Sequence, residues 1–386
     1  MSFVHLAAAA GYTTPALSRI LTKSGYFLGL CGAVGSTVTY AAAVRPALRA
    51  PQNEPADAAA LRRRMSLYLA WAGVVLLVAG YFELAARRAG RSKPLGDSLA
   101  PGRLWDFLRA PAAKGTWVAQ GTVYLVQNAV LLLASAVLVA LFVPRVRRHL
   151  DVLALTALPL ALAGTLVAGI PVTAPKDADH VLDPLLDQVH IVSGTVWVGG
   201  LALLATLAAA RGRLSENAGV LWADLWRRFS LVALVCVGAV LTSGLWMGWK
   251  HVGGISQLWT TTYGTFLLVK VALVLSMVVA GGVNQFWLMP RIARARRADS
   301  AASLLDLTLR HFPRVVWLEV ALGVGVLAVV PFLSGSARSQ AGSPPAVSSG
   351  GILAVGVLLV LTLAASLYIT VRTSDALSRR SGLATP

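Results

Sequence analysis

Two histidines, a methionine and an aspartate stand at facing ends of two consecutive apolar runs. Asp187 and His190 open the run that continues through Trp197 and Gly199-Gly200, and Met247 and His251 close the next one. Met247 and His251 are four apart, hence on one helical face, and Asp187 precedes His190 by about one turn. If the runs form an antiparallel hairpin, His190 lies 20 residues and Met247 18 residues from its turn, so both emerge at similar depth. Imidazole with thioether is a donor set that suits copper, Cu(I) above all. Asp187 is placed to orient the imidazole or to add an oxygen ligand. The competing reading is that these residues only finish two interfacial helix ends. Cys236, deeper in the second run, is a further soft donor. Like Cys31, it reads first as a small core residue, with a thiol copper ligand as the lesser reading, and neither suggests a disulfide.

The elements that must position these groups follow from composition. Of 386 residues, 56% are hydrophobic and 13% charged, with a mean hydropathy of +0.70, too apolar for a soluble globular chain. Runs of about 20 apolar residues span a hydrocarbon core as helices, which satisfy their own backbone groups in lipid. Nine such runs occur, over 25–44, 65–86, 117–143, 151–171, 185–210, 229–249, 263–288, 314–333 and 351–371. The expected fold is an all-α integral membrane protein of about nine transmembrane helices. No cleavable leader is read, since the first apolar run continues into the body.

The net charge of +18 sits between the spans, which makes it an orientation signal rather than a nucleic-acid patch. Alternate connections hold 20 Lys and Arg on one side and 12 on the other. The richer side is cytoplasmic by that rule, giving an outside N-terminus and a cytoplasmic C-terminus. The basic connection 87–116 is discordant. An internal repeat resolves it: Arg63-Arg64-Met65-Ser66-Leu67 matches Arg227-Arg228-Phe229-Ser230-Leu231 at an offset of 164, which also pairs Gly35 with Gly199 and Tyr26 with His190. Gly115-Thr116-Trp117 matches Gly264-Thr265-Phe266 at an offset of 149, so 87–116 is an enlarged counterpart of 250–262. The expected plan is an outer segment 1–24, two parallel four-helix repeats over 25–171 and 185–333, a ninth helix over 351–371 and a cytoplasmic tail 372–386.

Other polar residues divide by position. His5 and His180 fall in outer segments, and His149 and His311 beside Arg148 and Arg310 suit lipid headgroups. Lys270 and Glu319 are intramembrane charges at different depths, and Glu83 has a local partner in Arg87 at i+4. No nucleotide-binding loop, His-Glu-x-x-His helix or Gly-x-Ser-x-Gly turn occurs, so neither an enzyme nor an ATP-driven pump is expected.

The order of His190, Trp197-x-Gly199-Gly200, Arg228-Phe229-Ser230, Ser243-Gly244, Tyr263-Gly264, Leu267-Leu268-x-Lys270, Asn284-x-Phe286, Pro290-Arg291 and Glu319 resembles the copper resistance D (CopD) family of multi-pass membrane proteins. The resemblance is clearest over 185–333, with Gln285 and the ninth helix as departures. It implies copper uptake or tolerance, often with a small periplasmic or extracellular copper-carrier protein as partner. The expectation is a copper-handling protein that accepts copper at the outer face, at His190, Met247 and His251 with Asp187 and Cys236, and moves it inward. Two rivals stand beside it: a b-type haem electron-transfer protein, and a non-transporting copper-delivery or assembly subunit.

Overall fold

Each apolar run folds as a helix in the computed structural model, which describes residues 12–51, 53–90, 94–209, 214–215, 218–288, 291 and 312–380. His5, His311 and Pro290 lie outside the described residues. The long helices are α1 (Leu17–Leu48), α2 (Pro55–Ala89), α3 (Gln120–Val139), α4 (Leu150–Val167), α5 (Asp179–Ala208), α6 (Ala218–His251), α7 (Thr262–Val283), α8 (Phe312–Val329) and α9 (Gly350–Arg380). Among the described residues, the first eight are long and apolar enough to cross a membrane. The apolar part of α9, Gly350–Ser366, is shorter. The chain is an all-α multi-pass membrane protein.

Several helices, α2, α5 and α6 among them, outrun the apolar runs that announced them. α2 has 35 residues, α5 has 30 and α6 has 34, each beyond the roughly 20 that lipid requires. Their extra turns are polar ends such as Arg62, Arg63 and Arg64 on α2, which the apolar-run criterion leaves out although their backbone stays helical. Large apolar side chains cover the outside of the bundle, among them Trp71, Leu133, Val235 and Val279, a surface that suits lipid. α9 packs mainly on α6 and leaves Val357, Leu358 and Leu361 exposed.

The bundle has two ends, here called the head, where α5 begins, and the foot, where it finishes. At the foot, Asp151 of α4 gathers Tyr40, Arg49 at 2.7 Å and Arg62 at 3.3 Å. Asp57 of α2 accepts from Ser215 through its backbone N–H at 2.9 Å and its hydroxyl at 2.6 Å, tying the α5–α6 connection down. At the head, Lys250 of α6 pairs with Asp179 at 2.7 Å and Asp183 at 3.4 Å of α5.

The centre is a crossing of α1 and α5. A Cβ on Gly199 would lie 1.9 Å from the Cys31 carbonyl oxygen, and a Cβ on Gly35 would lie 2.3 Å from that of Thr195. Residues 31 and 35 are the partners of 195 and 199 at the offset of 164, so the two contacts are the same contact read in both directions. Such reciprocity is what two similar surfaces make across a two-fold axis. Glycine is required on both sides because backbone meets backbone. Gly200, next along α5, faces Phe229 of α6 and Thr39 of α1, and Trp197 is buried in the same seam.

The connections that precede α3 and α7 also correspond. Each carries a short helix, Pro101–Leu108 and Gln257–Thr260, and a glycine of the next helix packs on its backbone, at the last turn of the first and the first residues of the second. Those glycines are Gly121, against Leu108 and Phe107, and Gly264, against Gln257 and Leu258. Gly115 itself lies before α3 at φ 86°, whereas Gly264 lies within α7. The match at Gly115 fails because Trp117 precedes α3, its indole donating to the Pro171 carbonyl at 2.6 Å, whereas Phe266 lies within α7.

Candidate functional site

His190 lies in the head half of α5 with its ring turned toward α6 and α7. Nδ1 is 3.0 Å from the Ser243 hydroxyl, and Nε2 is 3.4 Å from Lys270 Nζ. Ser243 has one hydroxyl proton and donates it to the Ala239 carbonyl at 2.6 Å. Its oxygen is thus the acceptor for His190, which fixes the proton on Nδ1 and leaves the Nε2 lone pair facing Lys270. Gly244 admits the ring, since its own Cβ would already be 3.4 Å from His190 Cε1.

Met247 and His251 continue the face of α6 that carries Ser243. His251 donates from Nδ1 to the Met247 carbonyl at 2.8 Å, so its Nε2 also carries a lone pair. Its ring stacks on Tyr263 of α7, centroids 5.7 Å apart and planes 9° from parallel. His190 therefore sits on the expected face but level with Ser243, one turn or about 6 Å below Met247 and about 12 Å below His251. Depth counted from Phe229 misjudges this by a turn, because α6 begins at Ala218 and its first turns do not mirror the end of α5.

Asp187 lies one turn above His190, where Lys270, Lys23 of α1 and His251 are the charges that act on it. Cys236 is buried on α6 about two turns below Ser243, and its thiol is free. The five expected residues thus form a file down the head half of the bundle rather than one shell. Among the described residues no three His, Cys, Asp or Glu side chains group closely enough to hold a metal ion. His180 pairs with Asp177 on the surface at 2.6 Å, an imidazole contact that holds the Asp177 carboxyl below the usual carboxylate range.

Residue spacing alone brings neither Ser243 nor Lys270 to His190. Lys270 was read by itself, and only the fold brings it to His190. The first half carries a polar nest where the repeat sets Tyr26 opposite His190: Gln127 donates to the Tyr26 hydroxyl at 3.0 Å, while Arg87 pairs with Glu83 at 3.1 Å and lies over the Tyr26 ring. The signal was the paired position of Tyr26 and His190, both polar within otherwise apolar spans.

Residues 223–333 match the family model described as copper resistance protein D. Over that segment the chain is similar to the CopD family. The CopD match takes in most of α6 with α7 and α8, hence Ser243, Met247, His251, Lys270, Asn284 and Glu319, while Asp187 and His190 precede it. The chain is similar to the copper transport protein CutJ of Bacillus subtilis, 30% identical over 224 residues, 58% of this chain. That match spans 39% of the length of the Bacillus protein. It is similar also to the inner membrane protein YebZ of Escherichia coli, 29% identical over 242 residues, 62% of this chain and 73% of that one. No solved structure matches the chain.

Proposed function

We propose that this chain, similar to the CopD family, handles copper in the inner membrane, accepting the ion at its head, on the outer side, and moving it inward. The observation that carries the reading is His190: a half-buried imidazole with its proton held by Ser243 and its Nε2 lone pair turned into the bundle, below a second lone pair on His251 and the thioether of Met247. These donors favour Cu(I) and stand at successive depths, so the ion is handed down rather than caged. His251 and Met247 receive it, Asp187 draws it inward, His190 takes it next, and Cys236 lies below.

Lys270 gives the path a stop. Its ammonium sits where a metal on Nε2 would be, and Asp187 is the nearby carboxylate to which it can turn. Copper passes when Lys270 exchanges His190 for Asp187, so resident cations do not leak through. The two repeats, related by the Gly35–Gly199 crossing, form the frame around this path. The chain works without ATP, and a small copper-carrier protein outside the membrane is the expected donor. The similarity to a copper transport protein supports transport over catalysis.

The experiment is copper uptake into liposomes bearing the purified chain and an internal copper probe. Uptake by the wild type that is lost in His190→Ala supports transport through the site. Copper bound without uptake would instead identify a delivery or assembly subunit.

A further inference from the structure

Glu319 takes no part in the copper path, yet it is 3% exposed where α8 packs on α5 and α7. It shares a face with Val316, Val320 and Gly323, and a Cβ on Gly323 would lie 3.0 Å from Val198 of α5. This face looks into the bundle, away from lipid. The partner of Glu319 is Asn284, whose Nδ2 donates to Oε1 at 2.8 Å. Asn284 is 6% exposed and opens the π-helical turn Asn284–Leu288 that follows α7, an irregularity often found at functional positions. Its Oδ1 has no hydrogen-bond partner among the described residues.

Among the described residues, the other charged and titratable groups on the surrounding helices lie elsewhere. Val198 of α5 and Met277 of α7 both meet Gly323, one turn toward the head from Glu319. From that level His190 and Asp187 of α5 and Lys270 of α7 are about 10–17 Å further toward the head. On α1, Ser24 donates to the Leu327 carbonyl, which sets Lys23 and Tyr26 two turns above Glu319 and Cys31 near its level. Arg314 is exposed at the start of α8, and Arg291 lies over Trp287. Among the described residues Asn284 is the one group whose hydrogen bond reaches the Glu319 carboxyl.

A buried carboxylate with no cation beside it is costly, and a buried carboxylic acid needs an acceptor for its proton. An amide serves both forms. It presents N–H to a carboxylate, as here, and after half a turn about its Cβ–Cγ bond it presents Oδ1 to an O–H. We infer that Glu319 and Asn284 form a proton-binding site within the helical bundle. Uptake of one proton converts the Glu319 carboxylate to the acid, the Asn284 amide turns over, and the new O–H donates to Oδ1; release reverses both movements. Coupling of this proton to copper movement rests on the function proposed above, whereas the site itself does not.

The first measurement needs no copper. Infrared difference spectra of the purified full chain, taken across a pH series, report the C=O stretch of a protonated buried carboxyl. The wild type should show such a band, Glu319→Gln should lack it, and Glu319→Asp should restore it, which guards against a variant that merely misfolds. In Asn284→Leu the midpoint should move by about one pH unit or more, a tenfold change in proton affinity. Identical spectra for wild type and Glu319→Gln at every pH would overturn the site, and an unmoved midpoint in Asn284→Leu would overturn the amide's part in it. Copper uptake with and without a pH gradient then tests coupling. A gradient response present in wild type and lost in Glu319→Gln supports it, and uptake indifferent to the gradient in wild type overturns it. No wild-type uptake at all would overturn the copper reading and leave the infrared result standing.

Discussion

His190 of α5 and Lys270 of α7 face each other nitrogen to nitrogen, Nε2 to Nζ, at 3.4 Å. An ammonium in that position excludes a metal cation from the lone pair, because like charges a few ångströms apart repel by several kcal/mol in a partly buried site. Lys270→Leu removes the charge and, unlike methionine, adds no sulfur donor beside His190. Copper affinity at His190 is expected to rise at least about tenfold, while selectivity against other entering cations falls. Competition titration with a Cu(I) chelator measures the first, and the added His190→Ala change should erase the gain. Unaltered affinity in Lys270→Leu would show that the lysine does not guard the site.

The donor file makes a graded prediction. Met247→Leu conserves volume while deleting the sulfur, so folding should survive and Cu(I) binding weaken selectively. His251→Ala should weaken capture and also unstack Tyr263, whereas His190→Ala should abolish passage. Chelator competition together with uptake separates capture from passage. Equal affinities in all three variants would return these residues to the role of ordinary helix ends.

The α1–α5 seam predicts a matched pair of destabilised variants. A methyl at Gly199 would meet the Cys31 carbonyl oxygen at 1.9 Å, and one at Gly35 that of Thr195 at 2.3 Å, both backbone atoms that cannot swing away. Each alanine substitution should cost about 3 kcal/mol, the upper range for overpacking, whereas Gly248→Ala, with nothing within 4 Å, should be neutral or mildly stabilising. Thermal unfolding in detergent gives the order. A Gly199→Ala protein as stable as Gly248→Ala would mean the helices do not meet there.

Orientation is checked at Gly102. It lies exposed in the short helix Pro101–Leu108, and a side chain there meets nothing within 4 Å. Cys31 and Cys236 are 4% and 7% exposed, so they give little background. A cysteine at 102 should react with an impermeant thiol reagent in intact cells. Labelling only after the membrane is opened would reverse the orientation and with it the direction assigned to copper.

The helices were legible because runs such as Leu231–Leu245 or Leu267–Val279 leave lipid as the one solvent that suits them. Gly199-Gly200 was legible for a related reason, since glycines inside an apolar run have little purpose beyond close approach. The His190 partners were not. Which side chain faces an imidazole depends on helix rotation and on depth to within one turn, and hydropathy reports neither. Ser243 appeared in the sequence as one more small residue, and Lys270 as a lone charge. Glu319 and Asn284 left a faint signal, as two polar residues flanking the connection between α7 and α8, but their hydrogen bond needs the close packing at Gly323 that only the folded bundle provides.

The crossing of Gly35 with Gly199 also sets a clock. The two residues are 164 positions apart, so α1 is synthesised long before the helix that covers its glycine face. At roughly 5–20 residues per second, the wait is on the order of ten to thirty seconds. Throughout that time the groove on α1 is lined by bare backbone, and the surface most like its proper partner is the α1 of a neighbouring nascent chain, which bears the same Gly35. Assembly of this bundle is therefore a race between completing α5 and meeting another copy, and crowding of ribosomes at the membrane favours the wrong pair.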